Sequence, residues 1–217
     1  MNNSARESIL GSIRTHLATS VRFDENPVHP ENPVIMSKKS LEISLVELFR
    51  QNLESVGARC TIANNDTDIA DALTRIITDL KAERLAISDD PEVKRLLYQT
   101  DLEIEELGVA PSASEIFRFD VGITSAQAAI AETGTLVLDS ARERNRLVSL
   151  VPPVHIAIVS ASTICETVVD ALTLLRKQNE ISPAVTFITG PSRTADIELT
   201  LTVGVHGPQE LYVIVFS

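Results

Sequence analysis

Three pieces of sequence near the end of the chain decide the fold: Ala184-Val-Thr-Phe-Ile188, Gly190-Pro-Ser-Arg-Thr-Ala-Asp-Ile-Glu198 and Gly204-Val-His-Gly-Pro208. The first is an apolar run that predicts a buried strand, and the other two predict a polar loop. Open α/β sheets bind ligands beyond the carboxyl ends of their parallel strands. The stretch therefore predicts an α/β fold with a ligand-binding loop in its C-terminal half.

From Ser40 onward, the rest of the chain alternates strand-like and helix-like segments. Apolar runs predict strands at residues 58–63, 84–88, 102–107, 136–138, 154–159 and 210–216. Helical spacing of apolar residues predicts helices at residues 40–56, 66–82, 90–98 and 163–176, and a short helix capped by Ser125. This alternation predicts a mainly parallel sheet with helices on both faces.

The first 40 residues are predicted to form an arm that precedes an α/β domain at residues 41–217. Residues 4–18 carry apolar side chains at helical spacing, and residues 21–39 contain three prolines without periodicity. The sequence leaves two roles open for this arm: a flexible tail, or a segment that packs on a partner subunit.

The charge balance argues against two classes of partner. The net charge is −11, and the chain contains no tryptophan. Phosphate neutralisation drives nucleic-acid binding, aromatic faces stack on single strands, and anionic lipids attract basic surfaces. Nucleic acid and membrane surfaces are therefore not predicted, whereas a local basic pocket for a small carboxylate or phosphate remains compatible with the sequence.

The cysteines and histidines do not form a metal-binding pattern. Cys60 and Cys165 are the two cysteines of the chain, whereas an ordinary iron–sulfur cluster needs four thiolates. The chain therefore cannot ligate such a cluster alone, and no metal site is predicted. Two cysteines without a disulfide framework, together with an N-terminus that lacks an apolar run of signal-peptide length, predict a cytoplasmic protein.

A first candidate turn is Glu132-Thr-Gly-Thr135, which is predicted to link a helix end to a buried strand. Gly134 permits a positive φ, so the turn can expose backbone N–H groups, and its threonines add hydroxyl donors. Both a plain helix cap and a ligand-facing turn fit this pattern. Arg142 and Arg146 follow soon after and predict either an anion-binding cluster or surface salt bridges.

The second candidate turn lies in the stretch quoted first. Ser192 or Thr194 is predicted to cap a short helix over Ala195–Glu198, whose free N–H groups would form an anion seat beside Arg193. Asp196 would also complement the dipole of that helix. His155 is predicted to be structural, whereas glycines on both sides of His206 allow a ligand to approach it. The candidate ligand-binding residues are Thr133, Gly134, Thr135, Arg142, Arg146, Gly190, Ser192, Arg193, Thr194, Asp196, His206 and Gly207.

The motifs also carry a family resemblance. Ala131-Glu-Thr-Gly-Thr135 with Leu-Val-Leu138, Leu150-Val-Pro-Pro-Val-His-Ile156 and the two loop motifs quoted first resemble the LUD-domain family in order and spacing, from about Asp120 to the end. The resemblance implies a fold similar to the sugar-isomerase and CoA-transferase group. It also implies a role in bacterial oxidation of L-lactate to pyruvate, beside iron–sulfur partner proteins.

Three hypotheses follow for the function. In the first, the chain is a component of lactate oxidation that binds a small anionic ligand at the two turns. In the second, it is a stand-alone enzyme similar to CoA-transferases or formyltetrahydrofolate cyclo-ligases, with Glu132 as the catalytic nucleophile or base. No glycine-rich CoA-binding loop precedes Glu132. In the third, it is a non-catalytic scaffold.

Overall fold

A computed structural model describes residues 3–19, 43–100, 102, 105–106, 113–178, 182–195, 201–203 and 207–217. The chain divides into two compact units, Met1–Leu41 and Glu42–Ser217. The first unit contains helix α1, Asn3–Thr19, in agreement with the helix predicted at residues 4–18. The side chains of Ile9 and Ile13 on this helix are exposed. The predicted proline-rich segment at residues 21–39 lies outside the described residues.

The second unit contains the remaining elements; helices and strands alternate in its first half, as the sequence predicted, whereas several strands follow one another in its second half. Its helices are α2 (Leu45–Ser55), α3 (Asp66–Leu80), α4 (Pro91–Leu97), α5 (Ala113–Ile116), α6 (Leu147–Leu150) and α7 (Val168–Gln178). Its strands are β1 (Arg59–Ala63), β2 (Leu85–Ile87), β3 (Glu105–Glu106), β4 (Val121–Ala126), β5 (Ala128–Ile130), β6 (Thr135–Asp139), β7 (Val154–Ser160), β8 (Ile164–Cys165), β9 (Val185–Ile188), β10 (Arg193–Ala195), β11 (Leu201–Val203) and β12 (Glu210–Phe216).

Local sequence signals set the helix starts. The side chains of Ser44, Asn65 and Asp90 accept hydrogen bonds from backbone N–H groups in the first turns of α2, α3 and α4, respectively. Such caps satisfy donors that have no partner within the helix. Pro91 follows Asp90 at the first helical position, where its missing N–H has no effect. The predicted start of α4 is therefore confirmed, whereas α2 begins four residues later than a cap at Ser40 would place it.

The main sheet is parallel throughout the described residues, with the strand order β1-β12-β7-β4-β2-β3. Ile123, Ile156 and Tyr212 lie side by side in its register and face a core built with α3 and α4. Alternate residues such as Ala157 and Val213 face the opposite core, which includes α2. The predicted α/β fold, with a mainly parallel sheet and helices on both faces, is confirmed.

A second sheet, with the strand order β8-β5-β6-β9, also packs against helix α2. Strands β5 and β6 form an antiparallel hairpin, and α7 packs on the far side of this sheet through Ala171 and Leu175. The short helix predicted from Ser125 is wrong, because residues 121–130 form β4 and β5. The alanine-rich sequence favours a helix locally, but pairing with β6 and β7 overrides that preference.

Two further predictions in this region are corrected. The segment predicted as a buried strand at residues 184–188 is β9, which runs antiparallel to β6 and leaves Phe187 44% exposed. It therefore lies at the edge of the second sheet. The helix predicted from Thr163 begins at Val168, because Ile164 and Cys165 form β8 and pair with β5.

Candidate functional site

The two candidate turns contact each other. Residues 131–134 form the turn between β5 and β6, and the strand after it pairs with β9. Thr135 Oγ1 lies 2.7 Å from Thr133 Oγ1 and 2.6 Å from Thr189 Oγ1. A chain of three hydroxyl groups therefore joins the hairpin turn to the loop that follows β9.

Both glycine turns are also packed against helix α2. At Gly134, where φ is 62°, a Cβ atom would lie 2.3 Å from the backbone nitrogen of Leu53. At Gly190, where φ is 83°, a Cβ atom would lie 2.9 Å from Cγ2 of Val56. The close approach of α2 is a sufficient physical reason for both glycines.

The tip of the hairpin is held by the same helix. Asn52 Nδ2 donates to the carbonyl oxygens of Ala131 and Glu132, at 2.7 and 3.2 Å. The Glu132 side chain itself is exposed. Glu132 thus stands at the surface of a turn whose backbone is fixed by α2.

Arg193 contacts the C-terminal end of α2. Its Nη2 atom donates to the carbonyl oxygen of Val56 at 2.7 Å. A cation is favourable at this position, because the last carbonyl groups of a helix carry partial negative charge. The helix predicted over Ala195–Glu198 does not begin at Ala195, since residues 193–195 form β10 and pair with β11; the rest of that prediction lies outside the described residues. Thr194 therefore lies within a strand, and the predicted ligand residues Asp196 and His206 lie outside the described residues.

Beside these turns is a pocket of about 210 Å³, called here the loop pocket. It lies at the amino ends of β7 and β12, not at the carboxyl end of a parallel strand as predicted. Ser192 N donates to the carbonyl oxygen of Pro208 at 2.8 Å, which joins two parts of the pocket wall. The lining residues are Ser149, Leu150, His155, Thr186, Phe187, Ile188, Thr189, Gly190, Ser192, Gly207, Pro208 and Leu211.

His155 forms part of the wall of the loop pocket and is 1% exposed. Its Nε2 atom lies 2.9 Å from Thr124 Oγ1, and its buried Nδ1 atom has no hydrogen-bond partner among the residues that the structure describes. Burial lowers the pKa of His155 to about 3, so the imidazole is neutral near pH 7. The sequence offered one signal for this burial: His155 lies within a continuous apolar run, residues 154–159.

The arginine run lies at the opposite end of β6 from the hairpin turn. Five strand residues span about 17 Å, so Arg142 and Arg146 are remote from residues 131–134. Arg142 Nη1 lies 3.9 Å from Asp90 Oδ2, whereas Arg146 is exposed immediately before α6. The structure therefore separates these two arginines from Gly190, Ser192 and Gly207, which it brings together.

Arg142 borders a second pocket, of about 220 Å³, called here the strand-end pocket. It lies where β4, β7 and β12 end and where the segment after β2 enters α4, the position at which open α/β sheets bind ligands. Its lining residues are Asp90, Glu92, Val93, Leu96, Ser125, Ala126, Gln127, Arg142, Ile158, Ser160, Thr163 and Phe216.

Two carboxyl groups are buried at this pocket, that of Asp90 in its wall and that of Glu143 next to it, and each residue is 2% exposed. Ser125 Oγ lies 2.7 Å from Glu143 Oε1 and 3.1 Å from Asp90 Oδ2. Ser88 Oγ also donates to Glu143 Oε1, at 3.2 Å, whereas no described residue forms a hydrogen bond with Glu143 Oε2. Burial raises the pKa of Glu143 to about 7, the hydrogen bonds from Ser125 oppose this shift, and the charge of Asp90 adds to it.

Sequence reasoning missed the Asp90, Ser125 and Glu143 cluster. Asp90 was interpreted as the start of a helix, which it is, and Ser125 as a helix cap, which it is not. The available signal was that Asp90 follows a predicted strand, because polar residues after parallel strands gather at one edge of a sheet.

Metal-binding clusters and membrane-spanning helices are both absent from the described part of the chain. Among these residues, no group of three or more His, Cys, Asp or Glu side chains is arranged to hold a metal ion. None of the helices described here has the length and apolar character needed to cross a membrane.

The parallel sheet, the second sheet with its hairpin and the two pockets define an α/β protein with ligand-sized clefts at both ends of its strands. The sequence pattern of the LUD domain matches residues 46–216. The chain therefore belongs to the LUD-domain family, which confirms the resemblance found in the motifs.

Two named relatives support the same assignment over nearly the whole chain. A protein of Exiguobacterium sp. named lactate utilization protein C is 32% identical over 225 residues, which cover 97% of this chain and 95% of the relative. A protein of the same name from Anoxybacillus flavithermus is 28% identical, with 97% and 99% covered.

A solved structure shares the fold. The crystal structure of a DUF162 family protein from Deinococcus radiodurans superimposes with a TM-score of 0.60 and covers 81% of this chain and 99% of that chain. The two sequences are 24% identical. This similarity supports the α/β architecture described above.

Proposed function

We propose that this protein is a component of bacterial L-lactate utilisation that acts with iron–sulfur partner proteins and binds a small anionic ligand in the loop pocket. The pathway rests on the family and on relatives named lactate utilization protein C that match along almost their whole length. The ligand is a small carboxylate of the lactate and pyruvate class.

One observation carries the ligand-binding part of the proposal. Gly190, Ser192 and Gly207, which were selected from sequence alone, line one pocket together with the buried His155. The Ser192 hydroxyl is a hydrogen-bond donor for a carboxylate oxygen. The neutral imidazole adds a second polar group, whose Nδ1 atom has no partner in the described part of the chain.

The partner proteins supply the redox centres in this proposal. Cys60 lies on β1 of the main sheet and Cys165 on β8 of the second sheet. With two thiols on different sheets, this chain does not provide the four thiolates of an ordinary cluster. Its own contribution is to bind and orient the small acid.

Calorimetric titration of the full chain with L-lactate, pyruvate and inorganic phosphate tests the binding step. We expect saturable binding of L-lactate or pyruvate, and an affinity about ten-fold lower in Ser192→Ala, since a hydrogen bond to a charged group contributes about 1.5–3 kcal/mol. Ser55→Ala is the matched control, because Ser55 is an exposed serine of α2. Absence of binding by both acids, or equal affinities in the two variants, would overturn the assignment of the loop pocket.

A genetic experiment tests the pathway independently of the pocket. A strain that lacks this gene should fail to grow on L-lactate as the only carbon source and should recover when the gene is restored. Normal growth of the deletion strain on L-lactate would contradict the proposed role.

A further inference from the structure

The strand-end pocket is built from parts of the chain that are distant in sequence. Asp90 follows β2, Ser125 lies near the end of β4, Ser160 ends β7, and Phe216 ends β12. The carboxyl ends of neighbouring parallel strands thus converge on one cleft. It lies at the opposite end of β7 from His155, so it is separate from the loop pocket.

Hydrogen bonds within the protein leave the polar side of this cleft rich in acceptors. Thr163 Oγ1 donates its proton to the carbonyl oxygen of Ser160, and Gln127 Nε2 donates to Ser125 Oγ. Gln127 Oε1 is occupied by the backbone N–H of Asp139. The Thr163 hydroxyl therefore has its proton committed to the protein, and Gln127 has one of its two N–H donors committed, whereas oxygen lone pairs remain available.

The buried carboxyl groups strengthen this preference for donors. A hydroxyl carries one proton, so Ser125 cannot donate to Asp90 and Glu143 at the same time. The shorter contact of the hydroxyl is to Glu143 Oε1, at 2.7 Å against 3.1 Å, and donation to Glu143 leaves Asp90 Oδ2 to accept a hydrogen bond from another donor. Hydroxyl groups of a ligand would meet this need, whereas an anion placed beside Asp90 would be repelled.

The mouth of the cleft carries a positively charged hydrogen-bond donor, Arg142. Its side chain is 54% exposed, and its Nη1 atom lies 3.9 Å from Asp90 Oδ2. A guanidinium in this position can take two oxygens of a carboxylate or phosphate and remain in contact with solvent. The ligand chemistry therefore changes along the cleft, from hydroxyl donors inside to an anion at the mouth.

The remaining wall is apolar and comes from Val93 and Leu96 of α4, Ile158 of β7 and Phe216 of β12. Such a wall suits the carbon face of a ring. The pocket volume of about 220 Å³ exceeds by several-fold the share of one water molecule, about 30 Å³ in the liquid.

We propose that the strand-end pocket binds a polyhydroxylated ligand with one anionic group, whose hydroxyls donate to Asp90 and whose anion pairs with Arg142. This is the chemistry of a sugar phosphate and of the ribose phosphate part of a nucleotide. The site is separate from the proposed lactate site and does not depend on it.

Calorimetry with the full chain tests this proposal, with ribose 5-phosphate and AMP as probes of the two sources and with ribose and inorganic phosphate as the separated parts. We expect one of the two phosphorylated probes to bind at least about ten-fold more tightly than either part, because both ends of the pocket are then engaged. Binding of ribose 5-phosphate would identify a sugar phosphate as sufficient, whereas binding of AMP alone would identify a nucleotide.

Two variants and one control locate the binding. Asp90→Asn keeps the cap of α4, since asparagine caps helices as well as aspartate does, and should reduce the affinity by about ten-fold. Arg142→Gln should give a similar loss at a surface position that does not affect folding. Arg144→Gln is the matched control, because the side chain of Arg144 is 77% exposed and faces Asp89; we expect less than a two-fold change.

Three results would overturn the proposal. The first is the absence of saturable binding of either phosphorylated probe up to about 10 mM. The second is an equal affinity for inorganic phosphate alone. The third is an equal loss of affinity in Arg142→Gln and Arg144→Gln. Because L-lactate binding is measured with the Ser192 variant, a failure here leaves the loop-pocket result unchanged, and the reverse also holds.

Discussion

The hydroxyl oxygens of Thr135 and Thr189 lie 2.6 Å apart and join the β5–β6 hairpin to the loop that follows β9. The two residues are 54 positions apart in sequence. Thr135 is almost fully buried, and its hydroxyl also meets that of Thr133. The contact therefore fixes one side of the loop pocket to the second sheet.

We predict that Thr135→Val lowers the free energy of unfolding by about 1–2 kcal/mol, because it leaves two hydroxyl groups without their partner and preserves the side-chain shape. Urea unfolding followed by circular dichroism measures the change. Thr173→Val, at an exposed position of α7, is the control and should change stability by less than about 0.5 kcal/mol. Equal effects of the two substitutions would show that the buried contact contributes nothing.

Gly134→Ala should be more destabilising than Gly57→Ala. Both glycines have positive φ, at 62° and 94°, which costs an alanine roughly 1–2 kcal/mol. A Cβ atom at Gly134 would also meet backbone atoms of α2, whereas at Gly57 its contact is the end of the Arg193 side chain, which can move. Urea midpoints that rank the two variants in the opposite order would contradict the packing described here.

Arg193→Ala should destabilise the protein by about 1 kcal/mol, since it removes a cation hydrogen-bonded at the C-terminal end of α2. Arg144→Ala, which removes an arginine whose side chain is 77% exposed, should change stability by less than about 0.5 kcal/mol. The affinity for L-lactate should change by less than two-fold in Arg193→Ala. A ten-fold loss of affinity would instead give Arg193 the ligand-binding role predicted from sequence.

Glu143→Gln should make the protein more stable at pH 8 but not at pH 4.5. The folded-state pKa of Glu143, about 7, lies above the ordinary carboxyl value of 4.5. As the pH rises from 4.5 to about 7, Glu143 of the wild-type protein therefore ionises in the unfolded state while it keeps its proton in the folded state. This difference lowers the free energy of unfolding by about 3 kcal/mol.

The measurement is urea unfolding of both proteins between pH 4.5 and pH 8. The difference between Glu143→Gln and wild type should grow with pH up to about 7 and then level off. A difference that is constant over this range would mean that Glu143 is already ionised in the folded protein at low pH.

Strands and helices with strong local patterns could be predicted from the sequence. The strand predicted at residues 210–216 is β12 with the same bounds, because its apolar run is continuous and bounded by polar residues. The β5–β6 hairpin could not be predicted, because residues 126–131 favour a helix until β6 pairs with them. The direction of β9 is likewise a property of its partner strand, not of its own residues.

The residues of the candidate site could likewise be predicted only in part. Gly190, Ser192 and Gly207 were recognised from one loop and do line one pocket. The cluster of Asp90, Ser125 and Glu143 requires a strand order that no local pattern contains. Arg142 was selected for its charge, yet it lies beside that cluster and not beside the turn it follows in sequence.

The most direct test of the central claim is NMR of the histidine ring nitrogens during a titration with L-lactate. The chain contains four histidines, and a His155→Gln sample identifies the resonances of His155. We predict that these resonances shift in proportion to the calorimetric saturation. In Ser192→Ala the same shift should require a higher concentration of L-lactate, in proportion to the lower affinity. Saturation of the protein with L-lactate while the His155 ring nitrogens remain unchanged would contradict binding in the loop pocket.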